Sequence, residues 1–277
     1  MRKLCVVVAV LLLCGAAAAG SVQRIGDLDY AGDGFDAHRL DFYLPADRTH
    51  AAIVVFVHGG AFLGGDRRDY ASVGRALAKQ GLAVAVVSYR VFPQTDAGGA
   101  VQDVARATAW TIRNAARYGL NPRNLFLVGH SAGAQIVAVL GTNATYLQDA
   151  GVTLAAVRGV FAVAGAYDVR DLSGEPDDWQ ALDGHIYGHT PQARSAFSPA
   201  LHIDPNTPPT VTACGTSDDP GSCARATNFT KALLAAGIAS VTVQENGADH
   251  MGMLRALIAP NDPLNAALHY FITKEEL

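Results

Sequence analysis

Short apolar runs alternate with longer amphipathic stretches along most of this chain, and the period of each points to the element it forms. Runs at 40–44, 52–57, 82–89, 125–128, 159–164, 209–214 and 240–244 predict strands. Several are unbroken Val, Ile and Phe, the pattern of strands buried on both faces of a parallel sheet. Between them, Val101, Val104, Ala105, Thr108, Ile112 and Ala115 recur at helical spacing and give one apolar face. Gly81, Gly119 and Gly237 stand where a helix must end before a strand resumes, the place of a left-handed cap. A βαβα alternation sets helices on both sides of one mostly parallel sheet. The expected class is α/β, in one domain over 20–277.

Residues 168–198 break the rhythm. They carry Asp171, Glu175, Asp177, Asp178, Trp179, His185, Tyr187 and His189, and are too long and polar for a simple connection. They predict a small cap over the strand ends.

Half of the 277 residues are apolar and 17% are charged, enough for one large core that excludes water without metal or disulfide support. Residues 1–19 stand apart. Arg2 and Lys3 form a positive start, 4–13 an apolar run too short to span a bilayer, and Ala16-Ala17-Ala18-Ala19 a small-residue cleavage zone. This reads as a secretory signal cleaved near Ala19, so the mature chain is expected to be secreted or periplasmic, with no membrane span. Loss of Arg2 and Lys3 takes the net charge from −4 to about −6. A mildly acidic chain without basic clusters argues against nucleic acid or anionic membrane as a partner. Cys5 and Cys14 leave with the signal. Cys214 and Cys223 remain as an even pair bound for an oxidising compartment, and are expected to form a disulfide, the alternative being two buried thiols. No spaced His/Cys cluster suggests a metal, and no cofactor is expected.

The sharpest chemical signal is Gly129-His130-Ser131-Ala132-Gly133, set between the apolar run 125–128 and the helical stretch 134–140. Strand, G-x-S-x-G, helix is the setting of a nucleophile elbow, whose serine is strained and exposed above the sheet edge. Its glycines are needed because a Cβ there would strike the neighbouring strand or helix. The plain alternative is a Gly-rich turn whose serine caps the next helix. A serine nucleophile needs a base, with an acid behind it. His250 follows the last predicted strand, in a loop where ligands meet an open α/β sheet. Asp218 lies three residues past Gly215; its rival Asp219 otherwise serves as a turn residue before Pro220. Asp249, next to His250, is expected to point away, and His130 to serve packing. His58-Gly59-Gly60-Ala61-Phe62 follows the run 52–57. Unless this is a plain turn, the N–H groups of Gly59 and Gly60, with that of Ala132, are the expected donors to a developing oxyanion. Phe62, Trp179 and Tyr187 either line a compact pocket or pack the cap onto the core.

These motifs resemble the α/β-hydrolase fold, within it the bacterial carboxylesterases related to hormone-sensitive lipase and kynurenine formamidase. The likeness covers most of 30–272. It includes His58-Gly59-Gly60, Ser88-Tyr89-Arg90, Asn121-Pro122-Arg123-Asn124, Gly165-Ala166-Tyr167-Asp168 and Ser198-Pro199-Ala200. Thr145-Tyr146-Leu147 with Gly151 looks like the formamidase-type and feruloyl-esterase-type branch. The chain departs from many members at Ala61-Phe62 and at Met251, positions that the resemblance sets at the substrate pocket. The resemblance and the residues together imply hydrolysis of a small carboxylic ester through Ser131, His250 and Asp218, with an acyl-enzyme intermediate. The alternatives are an arylformamidase using the same machinery and a non-catalytic binding protein on the same scaffold.

Overall fold

The computed structural model describes residues 21–170 and 177–274; the expected signal segment, 1–19, lies outside them. The strands are β1 (Gln23–Asp29), β2 (Arg39–Leu44), β3 (Ile53–Val57), β4 (Ala83–Val87), β5 (Leu125–His130), β6 (Gly159–Val163), β7 (Thr210–Gly215) and β8 (Ser240–Glu245). The helices are α1 (Ala71–Lys79), α2 (Ala97–Asn114), α3 (Ala132–Thr142), α4 (Ala144–Asp149), α5 (Asp177–Tyr187), α6 (Pro191–Ser195), α7 (Ser222–Ala235), α8 (His250–Ile258) and α9 (Pro263–Lys274). One sheet takes all the strands in the order β1-β2-β4-β3-β5-β6-β7-β8. Strands β3 to β8 are mutually parallel, and β2 runs antiparallel to both β1 and β4.

Successive residues of a strand face opposite sides of the sheet, so one apolar run feeds two cores. Ile53, Val55 and Val57 of β3 join Leu125 and Leu127 of β5 on one face, against Val101 and Val104 of α2 and Ile136 and Leu140 of α3. Val54 and Phe56 join Phe126 and Val128 on the other, against Leu77 of α1, Met253 of α8 and Leu268 of α9. This two-sided burial is why β3 to β6 read as unbroken apolar segments. Helix α3, between sheet and outer helices, is buried along its whole length.

The element boundaries shift where side chains take on other work. Strand β4 ends at Val87, because Ser88 and Tyr89 turn away to hold neighbouring loops. Ser88 Oγ accepts from the Arg67 N–H at 3.0 Å, and Tyr89 Oη donates to the His58 carbonyl at 2.9 Å. Strand β5 runs two residues past the predicted 125–128, right up to Ser131. Strand β1 was not expected. Its sequence is half polar, its pairing with β2 is interrupted between Ile25 and Leu28, and the buried Asp41 anchors it through Arg24 at 2.8 Å.

Strand register brings the site together. Val57 is level with Gly129 across β3 and β5, and Gly215 with Glu245 across β7 and β8. The loops that carry Gly59, Ser131, Asp218 and His250 therefore leave neighbouring strands at the same end of the sheet. Helices α5 and α6 fall within 168–198, between β6 and β7. Among the described residues, no helix is long and apolar enough to cross a membrane.

Candidate active site

Ser131 sits at φ 59°, ψ −125°, between the end of β5 and the start of α3. A non-glycine residue at positive φ is strained, and such strain persists only where the surroundings impose it. Here they do. A Cβ on Gly129 would lie 2.2 Å from the Gly133 carbonyl oxygen, and one on Gly133 would lie 2.1 Å from that of Val57. Both contacts are with backbone, so neither glycine can be replaced without moving a strand or helix. The hydroxyl of Ser131 caps nothing in α3. It meets His250 Nε2 at 2.8 Å.

His250 opens α8, and its Nδ1 lies 3.0 Å from Asp218 Oδ2. A carboxylate only accepts, so Nδ1 carries the proton and Nε2 offers its lone pair to the serine O–H. Asp218 is held in turn, its Oδ1 accepting from the Asp219 N–H at 2.8 Å. Asp219 turns outward to pair with Arg225, its side chain 53% exposed against 9% for Asp218. Asp249 caps α8 by accepting from the Gly252 N–H, and pairs with Arg255. The loop that carries Asp218 is tied by the Cys214–Cys223 disulfide, with Cα atoms 5.1 Å apart. Cys214 ends in the core, and Cys223 lies in the first turn of α7.

The loop after β3 packs against the elbow. Gly60 takes φ 122°, and a Cβ there would lie 2.0 Å from the Gly64 carbonyl oxygen. His58 is buried between Tyr70 and Tyr89, with ring centroids 5.4 and 4.3 Å away, and its Nδ1–H donates to the Gly59 carbonyl. Burial pushes the His58 imidazole below its ordinary pKa. Ala132 is the first residue of α3, where an N–H has no acceptor within the helix.

A cavity of about 210 Å³ opens at Ser131 and His250, and its wall includes Ala132, Gln135, Tyr187, Asp219, Ser222 and Arg225. Ala61 and the 164–166 loop complete it. Described non-glycine residues with positive φ are Asp27, Ala61, Phe62, Ser131 and Ala164. Three of them line this one cavity, so the backbone strain gathers at the site.

The other expected site residues divide. Tyr187 lines the cavity. Its hydroxyl donates to Gln135 Oε1 at 2.8 Å, and burial pushes the phenol above its ordinary pKa. Phe62 lies behind it, buried edge-on against the Tyr187 ring, and packs instead of lining. Met251 is 49% exposed and is not among the lining residues. The Trp179 side chain lies outside the described residues. Gly59 backs the elbow, Gly60 packs on Gly64, and Ala61, the next residue, is the one in the cavity wall. Sequence reasoning passed over Gln135 and Arg225. Gln135 carried a signal, as the long polar side chain among the small and apolar positions at the start of α3; Arg225 carried none. Among the described residues, no cluster of three or more His, Cys, Asp or Glu could hold a metal ion.

Isoprenylcysteine alpha-carbonyl methylesterase ICME of Arabidopsis thaliana is 28% identical over 229 residues, 77% of this chain and 53% of that protein. The chain spans between about a fifth and about a half of the length of the plant methylesterases it matches. A kynurenine formamidase of Danio rerio is 27% identical over 269 residues, 95% of this chain and 87% of that protein. A solved structure, a truncated form of a carbohydrate esterase from gut microbiota, superposes with a TM-score of 0.79 at 22% identity, covering 91% of this chain and 96% of the other. That likeness establishes a common fold. The BD-FAE family model matches residues 40–233, from β2 into α7 and across both Ser131 and Asp218, and the chain belongs to that family, with the α/β-hydrolase fold.

Proposed function

We propose that this protein is an exported serine hydrolase that cleaves small carboxylic esters. The observation that carries the reading is the unbroken line from Ser131 Oγ through the His250 ring to Asp218, opening into a closely walled cavity. His250 Nε2 takes the proton as Ser131 Oγ attacks the ester carbonyl, and Asp218 holds the imidazolium that forms. The N–H of Ala132 and those of the loop 59–61 stabilise the oxyanion. His250 then returns the proton to the leaving alcohol, and water releases the acyl group by the same steps in reverse. Residues 1–19 and the disulfide support export. No step draws on a metal or cofactor.

The cavity volume favours short acyl and alcohol groups, and its wall of Gln135, Ser222 and Arg225 favours polar ones. A second reading, hydrolysis of an N-formyl aromatic amine, is favoured by the near full-length alignment with the fish formamidase. Formyl is the smallest acyl group, and its transfer uses the same machinery. Aryl esters of graded acyl length, assayed beside N-formylkynurenine, decide between the two. Faster turnover of acetyl and butyryl esters supports the esterase. Turnover of the formamide alone reverses the order, and inactivity towards both refutes the hydrolase.

A further inference from the structure

Directly beneath the nucleophile lies a second histidine that the proposed reaction does not use. His130 ends β5, is 1% exposed, and sets its Nε2 3.0 Å from the main-chain oxygen of His250. A carbonyl only accepts, so Nε2 carries the proton and Nδ1 is a bare lone pair. That Nδ1 is buried without a hydrogen-bond partner. A buried, unpaired ring nitrogen is unfavourable, and packing alone would be better served by an apolar ring. What the imidazole adds is one specific bond, to the backbone of the residue that faces Ser131.

The surroundings make that bond matter. Ser131 and Asp218 fix the rotation of the His250 ring, yet neither holds its backbone. The two histidine rings lie 4.8 Å apart, tilted by 46°. On the far side, a Cβ on Gly59 would fall 3.3 Å from His130 Nδ1 and 2.8 Å from Ser131 Cβ. One side chain thus bonds the first residue of α8, immediately precedes Ser131, and lies against the loop after β3. Burial holds its pKa down to about 4, so the brace is uncharged at neutral pH. That suits a place where a neighbouring imidazolium must form.

We infer that His130 is a positioning residue, whose Nε2–H holds the His250 backbone so that the ring meets Ser131 at bonding distance. The inference rests on the proposed roles of Ser131 and His250. Misplacing a reacting group by about 1 Å costs on the order of 100-fold. His130→Phe keeps a ring of similar size and removes the donor. It should lower kcat on phenyl acetate by roughly 10- to 100-fold with KM little changed. His130→Gln, which restores a donor, should recover most of the loss, and His130→Asn, too short to reach, should show the same loss as Phe and takes its place if the Phe variant folds poorly. The downfield NMR resonance of the His250 Nδ1 proton reports the ring's position whether or not an ester is hydrolysed. It should shift or broaden in the Phe variant and return in the Gln variant. Wild-type kcat in His130→Phe, an unmoved resonance, or no rescue by Gln overturns the positioning role. A resonance that moves in a wild-type background inactive on every ester upholds the brace and removes only the esterase reading.

Discussion

Single residues divide the labour at this site, and two neighbouring aspartates show how. Asp218 and Asp219 are chemically identical and adjacent, yet the first reaches His250 and the second pairs with Arg225. Asp218→Asn keeps the shape but offers an amide where the imidazole needs an acceptor, which favours the wrong ring tautomer. The expected loss in kcat is about 10⁴-fold. Asp219→Asn removes one side of an exposed ion pair and should cost less than about tenfold. The reverse ranking, measured at saturating phenyl acetate, would mean that Asp219 turns inward in solution. Ser131→Ala should lose turnover by several orders of magnitude with an unchanged unfolding midpoint, since the elbow geometry depends on Gly129 and Gly133. A fluorophosphonate should label Ser131 alone; label on another residue refutes the assignment.

Among the elements, the parallel strands were legible because their burial on both faces writes an apolar run into the sequence, as at 53–57 and 159–163. Strand β1 was not, because it is an edge strand held by Arg24 and Asp41 instead of by an apolar run. The elbow was legible because two glycines and a serine answer to local sterics. Of the cavity wall, Tyr187 was legible as an aromatic of the polar 168–198 stretch, while its partner Gln135 was not, because the two are fifty-two residues apart and meet only through tertiary structure. Their bond ties α5 to α3, the helix that follows Ser131, and Gln135 Nε2 extends the tie to the Phe197 carbonyl at 2.9 Å. Tyr187→Ala should therefore widen the cavity and raise the octanoyl-to-acetyl ratio of kcat/KM by about tenfold, the worth of roughly 1.4 kcal/mol. An unchanged ratio would mean that Tyr187 only packs. The loop that carries Asp218 has a different restraint. The disulfide spans a sequence separation of nine, a closure worth roughly 2–3 kcal/mol on the chain-entropy model. Reduction should lower the urea midpoint by a corresponding amount, and should lower kcat in the protein that stays folded because Asp218 lies within the closed loop. Alkylation of both cysteines under denaturing conditions without reductant would show that the bond is not formed.

Across the whole molecule, stability and chemistry meet in how the fold treats protons. Two buried histidines, His58 and His130, bind a proton less readily folded than unfolded, in both cases because burial disfavours the charged ring. As pH falls through 6.5 the unfolded chain takes up these protons, while folded His130 waits until about 4. Acid therefore favours unfolding across that window, and for His130 alone the fall corresponds to roughly 3 kcal/mol that is present at neutral pH and lost near 4. Below it a second set takes over. The carboxyl of Asp27 is held down by its hydrogen bond to the buried Arg67; at Asp66 burial works the other way and the Arg68 guanidinium overrides it. Both contribute stability above the ordinary carboxylate range that disappears as pH drops further. Urea midpoints measured at pH 7, 5.5 and 4.5 should decline steadily. His130→Phe removes one proton-binding difference, so its decline should be shallower, and the gap between it and the wild type at pH 7 should shift by roughly 3 kcal/mol in its favour by pH 4. Parallel curves for the two proteins would show that folded His130 takes up its proton at ordinary acidity, and that burial does not keep the ring beside Ser131 neutral below about pH 6.5.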